Sequence, residues 1–315
     1  MRKRALGRSG LELPPIVFGG NVFGWTADKS ASFRLLDALV EAGLNAIDTA
    51  DVYSAWAAGH AGGESEAIIG DWMKARGRRR DVLILTKAGM EMPGRGKGLS
   101  AAWIARAVED SLTRLGTDVI DLYQAHRDDP ATPLEETLGA LARLIGQGKV
   151  RAIGASNYSA PRLAAALEAS ARLGLPRYES LQPPYNLMER GIEADLLPLC
   201  REHGLGVIPY GALAGGFLTG KYRSEADFAK SVRGARAGQY LNARGKRVLA
   251  ALDAAAARLD ASPAQVALAW QIARPGITAP IASATSLEQL RDLVKAATLN
   301  LDREAVEALD AASRA

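Results

Sequence analysis

The chain has 315 residues, 48% of them hydrophobic and 23% charged, with a net charge of +4. That composition supports a large core and excludes a disordered chain, and the basic excess is too mild for a nucleic-acid binder. The single cysteine, Cys200, rules out an internal disulfide and fits a buried thiol in a reducing, cytoplasmic setting.

Along the chain, short β-branched runs alternate with Ala/Leu-rich helical patterns. The start, Met1 to Gly7, is basic but has no apolar stretch after it, so no secretory signal is expected. No run approaches the length needed to span a bilayer, so no membrane insertion is expected. A hairpin around 4–6 and 11–13 comes first. Strands are expected at 16–18, 44–47, 82–86, 119–123, 150–154, 179–182, 206–209 and 279–282. Between them helices are expected at 30–42, 64–74, 100–115, 133–147, 160–172 and 192–203, then over a long region ending near 273, and at 286–297. Ser100, Thr132 and Ser262 read as helix caps, the latter two before Pro133 and Pro263. The basic run Arg76-Gly77-Arg78-Arg79-Arg80 reads as a solvated turn.

Strict alternation with continuously apolar strands argues for a parallel sheet covered by helices. Eight such units predict one (β/α)8 TIM barrel domain spanning 1–315, with an N-terminal β-hairpin and a long Gly- and Arg-rich loop (212–238) after strand 7. No linker divides the chain.

Barrels carry their chemistry at the C-terminal ends of strands, so the residues that close these runs are informative. Asp48 ends the second, Lys87 the third and His126 the fourth, while Tyr53 follows Asp48 by five positions. Each has an ordinary explanation alone. Together they form a proton-transfer set. A phenol is a poor donor at neutral pH, an ammonium beside it stabilises the phenolate, and a carboxylate keeps that ammonium charged. An imidazole orients a carbonyl oxygen. A second enzyme chemistry makes Lys87 a Schiff-base nucleophile.

These residues resemble the aldo-keto reductases. Asp48-Thr49-Ala50-Asp51-Val52-Tyr53, Gly63-Glu64-Ser65-Glu66 and Ile69-Gly70 look like the family's first signature, and Thr86-Lys87 and Asp121-Leu122-Tyr123-Gln124-Ala125-His126 match its next elements. His126-Arg127-Asp128-Asp129-Pro130 and Thr132-Pro133-Leu134-Glu135-Glu136-Thr137 are similar to the branch of bacterial reductases and potassium-channel β subunits. The resemblance covers essentially the whole chain. It implies an NADP-dependent oxidoreductase that reduces an aldehyde or ketone, with Tyr53 as proton donor, Asp48 and Lys87 tuning it, and His126 orienting the carbonyl. It also admits a cofactor-binding partner protein with weak turnover.

No Gly-x-Gly-x-x-Gly motif marks a Rossmann site, so the nicotinamide must be held otherwise. Ser156 and Asn157 after the fifth strand, Gln182 at the end of the sixth and Tyr210 at the end of the seventh suit a carboxamide and a flat ring. The resemblance implies that these four hold the nicotinamide and adds Gly20, Asn21 and Asp48. The loop Gly211, Leu213, Gly215 and Lys221 would cover the pyrophosphate, with Arg236 reaching the cofactor and Ser283, Thr285 and Gln289 near the adenosine phosphate. Where many relatives carry an arginine and an asparagine, this chain has Thr285 and Leu293. NADPH is the expected cofactor, with NADH possible. Trp25 and Trp56 are expected to line the substrate mouth, with Phe23 and Met90 nearby, and no metal cluster is visible.

Overall fold

The computed structural model describes residues 1–314. Strands β1 (Arg4–Ala5) and β2 (Glu12–Leu13) pair antiparallel as the expected hairpin. Eight parallel strands follow: β3 (Val17–Gly19), β4 (Ala46–Asp48), β5 (Leu83–Ala88), β6 (Ile120–Ala125), β7 (Val150–Ser156), β8 (Ser180–Gln182), β9 (Gly206–Val207) and β10 (Ile281–Ala282). Successive strands pair in chain order, and β10 returns to β3. The Thr278 N–H donates to Val207 O at 2.8 Å and the Ile281 N–H to Pro209 O at 2.7 Å, drawing the last strand onto the β9 side. The result is the (β/α)8 barrel that the alternation predicts.

Around it lie α1 (Lys29–Glu41), α2 (Glu64–Arg76), α3 (Ala101–Leu115), α4 (Leu134–Gly146), α5 (Ala160–Leu173) and α6 (Leu196–His203). After them come α7 (Gly234–Ala237), α8 (Ala243–Arg258), α9 (Pro263–Ala273), α10 (Leu287–Ala296) and α11 (Arg303–Ser313). Ser100 and Ser262 cap α3 and α9 as expected, but Pro133 itself occupies the α4 cap, and the Thr132 hydroxyl donates to Asp129 instead. The helix α11 lies beyond those the pattern predicts. It is held through Asp310, which accepts from Trp270, Arg274 and Arg190. The basic turn before β5 is not merely solvated. Arg79 bonds Val82 O, Val119 O and the buried Asp121 carboxylate, because carbonyls at the barrel's lower rim need donors.

Strand parity explains how the fold builds a site. Alternate residues point inward. Ala46, Leu85, Leu122 and Ala152 fill the barrel with Leu6, Leu11 and Leu13 of the hairpin region, an apolar plug at its floor. Two residues further along three of these strands, the inward positions become Asp48, Lys87 and Gln124, and Gln182 ends β8. Lys87 lies beside Gln124, and Ser156 beside Gln182, in the ladder. Gly154 leaves the space this layer needs, since a Cβ there would meet Ser180 Oγ at 2.2 Å and Gln124 Cγ at 3.2 Å. The outward residues, such as Ile47, Ile84, Tyr123 and Ile153, pack under the helices.

Candidate active site

At the upper end of the barrel the structure brings Asp48, Tyr53 and Lys87 into hydrogen-bonding contact. Lys87 Nζ donates to Asp48 Oδ2 (2.8 Å), to the Tyr53 hydroxyl oxygen (3.0 Å) and to Thr49 O (2.6 Å), so all three of its protons are used. The Tyr53 hydroxyl lies 3.4 Å from Asp48 Oδ2. The other Asp48 oxygen accepts from Gln182 Nε2 at 2.8 Å and Gln124 Nε2 at 3.4 Å. His126, just past β6, is pinned by its own N–H to Ala88 O (2.9 Å), and its ring stands edge-on to Tyr53 with centroids 6.0 Å apart.

The electrostatics follow from burial. Burial pushes the Lys87 ammonium down, but Asp48 and Tyr53 outweigh it and hold its pKa above the ordinary lysine value. Lys87 is therefore a cation with its protons engaged, which removes it as an amine nucleophile for Schiff-base chemistry. Burial pushes the Tyr53 phenol up to about 12, with Lys87 pulling against it and Asp48 adding to it. The balance differs from the depressed phenol that an adjacent ammonium alone suggests, because removal from water outweighs one cation. Tyr53 is a neutral phenol carrying its proton. Burial, then Lys87 and Arg127, hold His126 well below the usual histidine range, so its imidazole is neutral.

The residues expected around a nicotinamide also gather here, bonded to one another. Ser156 Oγ donates to Gln182 O at 2.8 Å. Asn157 Nδ2 donates to His126 O at 2.9 Å, and the Tyr210 hydroxyl donates to Asn157 Oδ1 at 2.8 Å. Asn157 sits in the left-handed region at φ +57°, a conformation asparagine tolerates better than most residues. Asn21 and Ser283 meet through their side chains at 2.6 Å, across the β3–β10 seam that also carries Gly20. Thr285 bonds Gln289 Oε1 through its N–H (2.8 Å) and hydroxyl (3.1 Å) at the start of α10. Leu293 is buried in the core and presents no polar group.

The loop after β9 carries Gly211, Leu213, Gly215 and Lys221 through short helical turns into α7 with Arg236. Its far end is tied down by the Tyr240 hydroxyl, which donates to Glu189. Among the described residues Lys221, Arg233 and Arg236 form no ion pair. Three cations on one loop, none of them ion-paired among the described residues, would suit a nicotinamide dinucleotide with its phosphates. No cluster able to hold a metal ion occurs among the described residues.

At the mouth, Trp56 is 49% exposed and meets Tyr53 and Trp25 edge-on, with centroids 5.8 and 5.6 Å apart. Phe23 does not line it: it is fully buried and stacks on Phe18 at 5.4 Å. Met90 packs beside Ala50, Val52 and Met92. Two contributors were not singled out from the sequence. Gln124 bonds both Asp48 and Gln182, and its signal was present as a polar residue two positions after the inward Leu122. Arg233, whose guanidinium lies 5.1 Å over Trp25, carried no such signal. Cys200 is buried, its thiol pushed up to about 12 by that burial, and inert.

Comparison with known proteins gives a consistent result. The model of the aldo/keto reductase family matches residues 15–314. An uncharacterized oxidoreductase of Bacillus subtilis, YrpG, is 36% identical, covering 97% of this chain and 94% of its own length. A probable voltage-gated potassium channel subunit beta of Arabidopsis thaliana is 34% identical, covering 94% of this chain and 91% of its own. The aldo-keto reductase YhdN of Bacillus subtilis is 33% identical, covering 91% and 84% respectively.

Proposed function

Because the chain belongs to the aldo/keto reductase family, whose members are oxidoreductases acting on carbonyls, we propose that it reduces aldehydes or ketones to alcohols with NADPH and that Tyr53 is the proton donor. The observation that carries this reading is the fully buried Lys87 ammonium, bonded at once to Asp48 and to the Tyr53 oxygen. A bound reduced nicotinamide supplies the hydride that the carbonyl carbon accepts.

The protein's own residues do the rest. The carbonyl oxygen sits between the Tyr53 hydroxyl and the neutral His126 ring, which donates a hydrogen bond and fixes its direction. As negative charge grows on that oxygen, Tyr53 transfers its proton. The phenolate left behind is stabilised by the Lys87 N–H at 3.0 Å, and Asp48 keeps Lys87 charged. Positioned acid catalysis of this kind contributes about 10²–10⁴-fold. Ser156, Asn157 and Gln182 would hold the carboxamide, Tyr210 would cover the ring, and Lys221 with Arg236 would neutralise phosphate. Trp25 and Trp56 make the substrate mouth aromatic, suiting a small carbonyl compound with an apolar body.

Tyr53→Phe tests the proposal. Its turnover of aldehydes should fall by roughly 10² or more while cofactor affinity stays within about twofold. Unchanged turnover would remove Tyr53 from the role. The likeness to a protein named as a potassium channel subunit beta supports a second reading, a cofactor-binding partner protein. A panel of aldehydes and ketones followed by nicotinamide absorbance, with each cofactor in turn, separates the two: tight cofactor binding with negligible turnover favours the second.

A further inference from the structure

Asp51 is a buried acid that the proposed reaction does not use. It lies in the segment after β4 that supplies both Thr49 O and Tyr53 to Lys87. Three backbone bonds stitch this segment together and to β5: the Thr49 N–H to Leu85 O (2.8 Å), the Asp51 N–H to Lys87 O (3.1 Å) and the Tyr53 N–H to Ala50 O (3.2 Å). The Asp51 backbone is therefore anchored to β5 beside Lys87, and the residue is only 1% exposed. Neither carboxyl oxygen has a hydrogen-bond partner among the described residues, although the Val52 N–H approaches and favours the anion weakly.

Three charged side chains act on Asp51 from the elements packed against it, Glu66 of α2, Arg114 of α3 and Lys87 of β5, and Tyr123 of β6 lies within its field. Both cations are already matched. Arg114 Nε bonds Glu66 Oε2 at 2.7 Å, Glu66 Oε1 accepts from Thr86, and Lys87 is paired with Asp48 at 2.8 Å. Asp51 is a third carboxyl beside two carboxylates and two cations, flanked by apolar Ala50, Val52 and Met92. An unpaired anion there has no counter-ion and no water shell. Tyr123, whose hydroxyl is also buried without a partner among the described residues, would feel an ionised Asp51 as the strongest charge upon it, and Asp110 of α3 adds weakly to the same field.

We propose that Asp51 is a positioning residue that acts through its charge state: neutral, it lets the backbone-bonded Thr49–Tyr53 segment lie against β5, and a negative charge on it, with no free counter-ion to meet it, displaces Tyr53 from Lys87. This rests on carbonyl reduction being the activity. Burial first and Glu66 second push the Asp51 carboxyl up to about 8, against the opposing pull of Arg114, Val52 and Lys87. Tyr53, raised to about 12, would put its own loss of proton far higher, so a fall in reduction near pH 8 points to Asp51. The linkage has a definite sign. An unfolded aspartate ionises near about 4, so the unfolded chain releases this proton first and stability is lost as pH rises from there to about 8.

The test follows kcat for aldehyde reduction and the unfolding temperature across pH 5.5–9.5 for the wild type, Asp51→Asn and Asp51→Ala. Asparagine, the stand-in for the neutral acid, should rescue turnover at pH 6.5, move the alkaline decline up by at least about one pH unit and flatten the loss of unfolding temperature towards pH 8. Alanine, which carries no charge at any pH, should also lose the decline near pH 8. An asparagine variant that keeps both the decline near pH 8 and the wild-type dependence of unfolding temperature on pH overturns the proposal. So does an alanine variant that keeps the wild-type decline near pH 8. The unfolding series needs no substrate, so it reads Asp51 even if the carbonyl assay shows that the activity itself is misassigned.

Discussion

Replacing Asp48 by asparagine leaves the Lys87 ammonium inside the barrel without its counter-ion. Lys87 and Asp48 have side-chain exposures of 0% and 2%, so water cannot compensate. The amide would keep an acceptor for Gln182, now 2.8 Å from Asp48 Oδ1, but it turns an N–H or a neutral oxygen towards Nζ. Breaking a buried pair from one side costs about 3–5 kcal/mol, and the retained Gln182 bond places this variant near about 3. Lys87→Met strands the carboxylate instead, which keeps Gln182, Gln124 and Tyr53 as donors, and should cost a similar amount. The double variant carries neither charge and should be destabilised by well under the sum, because an apolar replacement of a whole buried pair is often close to neutral. The expected coupling is about 2–3 kcal/mol, a factor of roughly 30–150 in the folding equilibrium. Urea unfolding at pH 7 measures all four proteins, and kcat on a reactive aldehyde should be low in all three variants, including the stable double. If the two single costs simply add, the pair is not what holds this site together and the argument for Lys87 as a tethered cation fails.

Thr285→Arg should raise the NADPH over NADH affinity ratio by about tenfold, because it sets a bidentate cation at an exposed helix start; an unmoved ratio means the phosphate is bound elsewhere. A second expectation concerns acid stability. Burial pushes the Glu193 carboxyl up, but Arg190, Tyr185 and Arg274 outweigh it and hold it below the ordinary glutamate value. Its contribution is therefore present above the unfolded value, near about 4.3, and is lost as pH falls through the folded one. Glu193→Gln should flatten the acid limb of the unfolding temperature below about pH 5, and an unchanged limb would show that this network does not govern it.

Much of the barrel was legible because apolar runs of strand length alternate with helical periods, and neither signal depends on distant contacts. Asp48, Lys87 and His126 were legible for the same reason: a polar residue closing a buried run marks the open end of a barrel. The helix α11 was not, since its sequence is a polar, Ala-rich stretch whose docking rests on Asp310 reaching Trp270 and Arg190 from elsewhere in the chain. Phe23 looked like a mouth residue from its loop position, yet it turns inward to stack on Phe18. Asp51 looked like one letter of a motif, and only its neighbours make it an acid without a partner.

The sequence by itself determined the alternation, the strand count, the polar residues that gather at the open end of the barrel and the family they resemble, because these are carried by periodicity and by residue type at run ends. The tertiary structure decided how those residues behave. Gln182 reaches Asp48 across 134 positions, and Lys87 reaches Tyr53 across 34. Whether a phenol keeps its proton, or a lysine stays charged, depends on water being excluded and on which carboxylate lies within 3 Å. Closure of the barrel sets both, and no local stretch of residues encodes them.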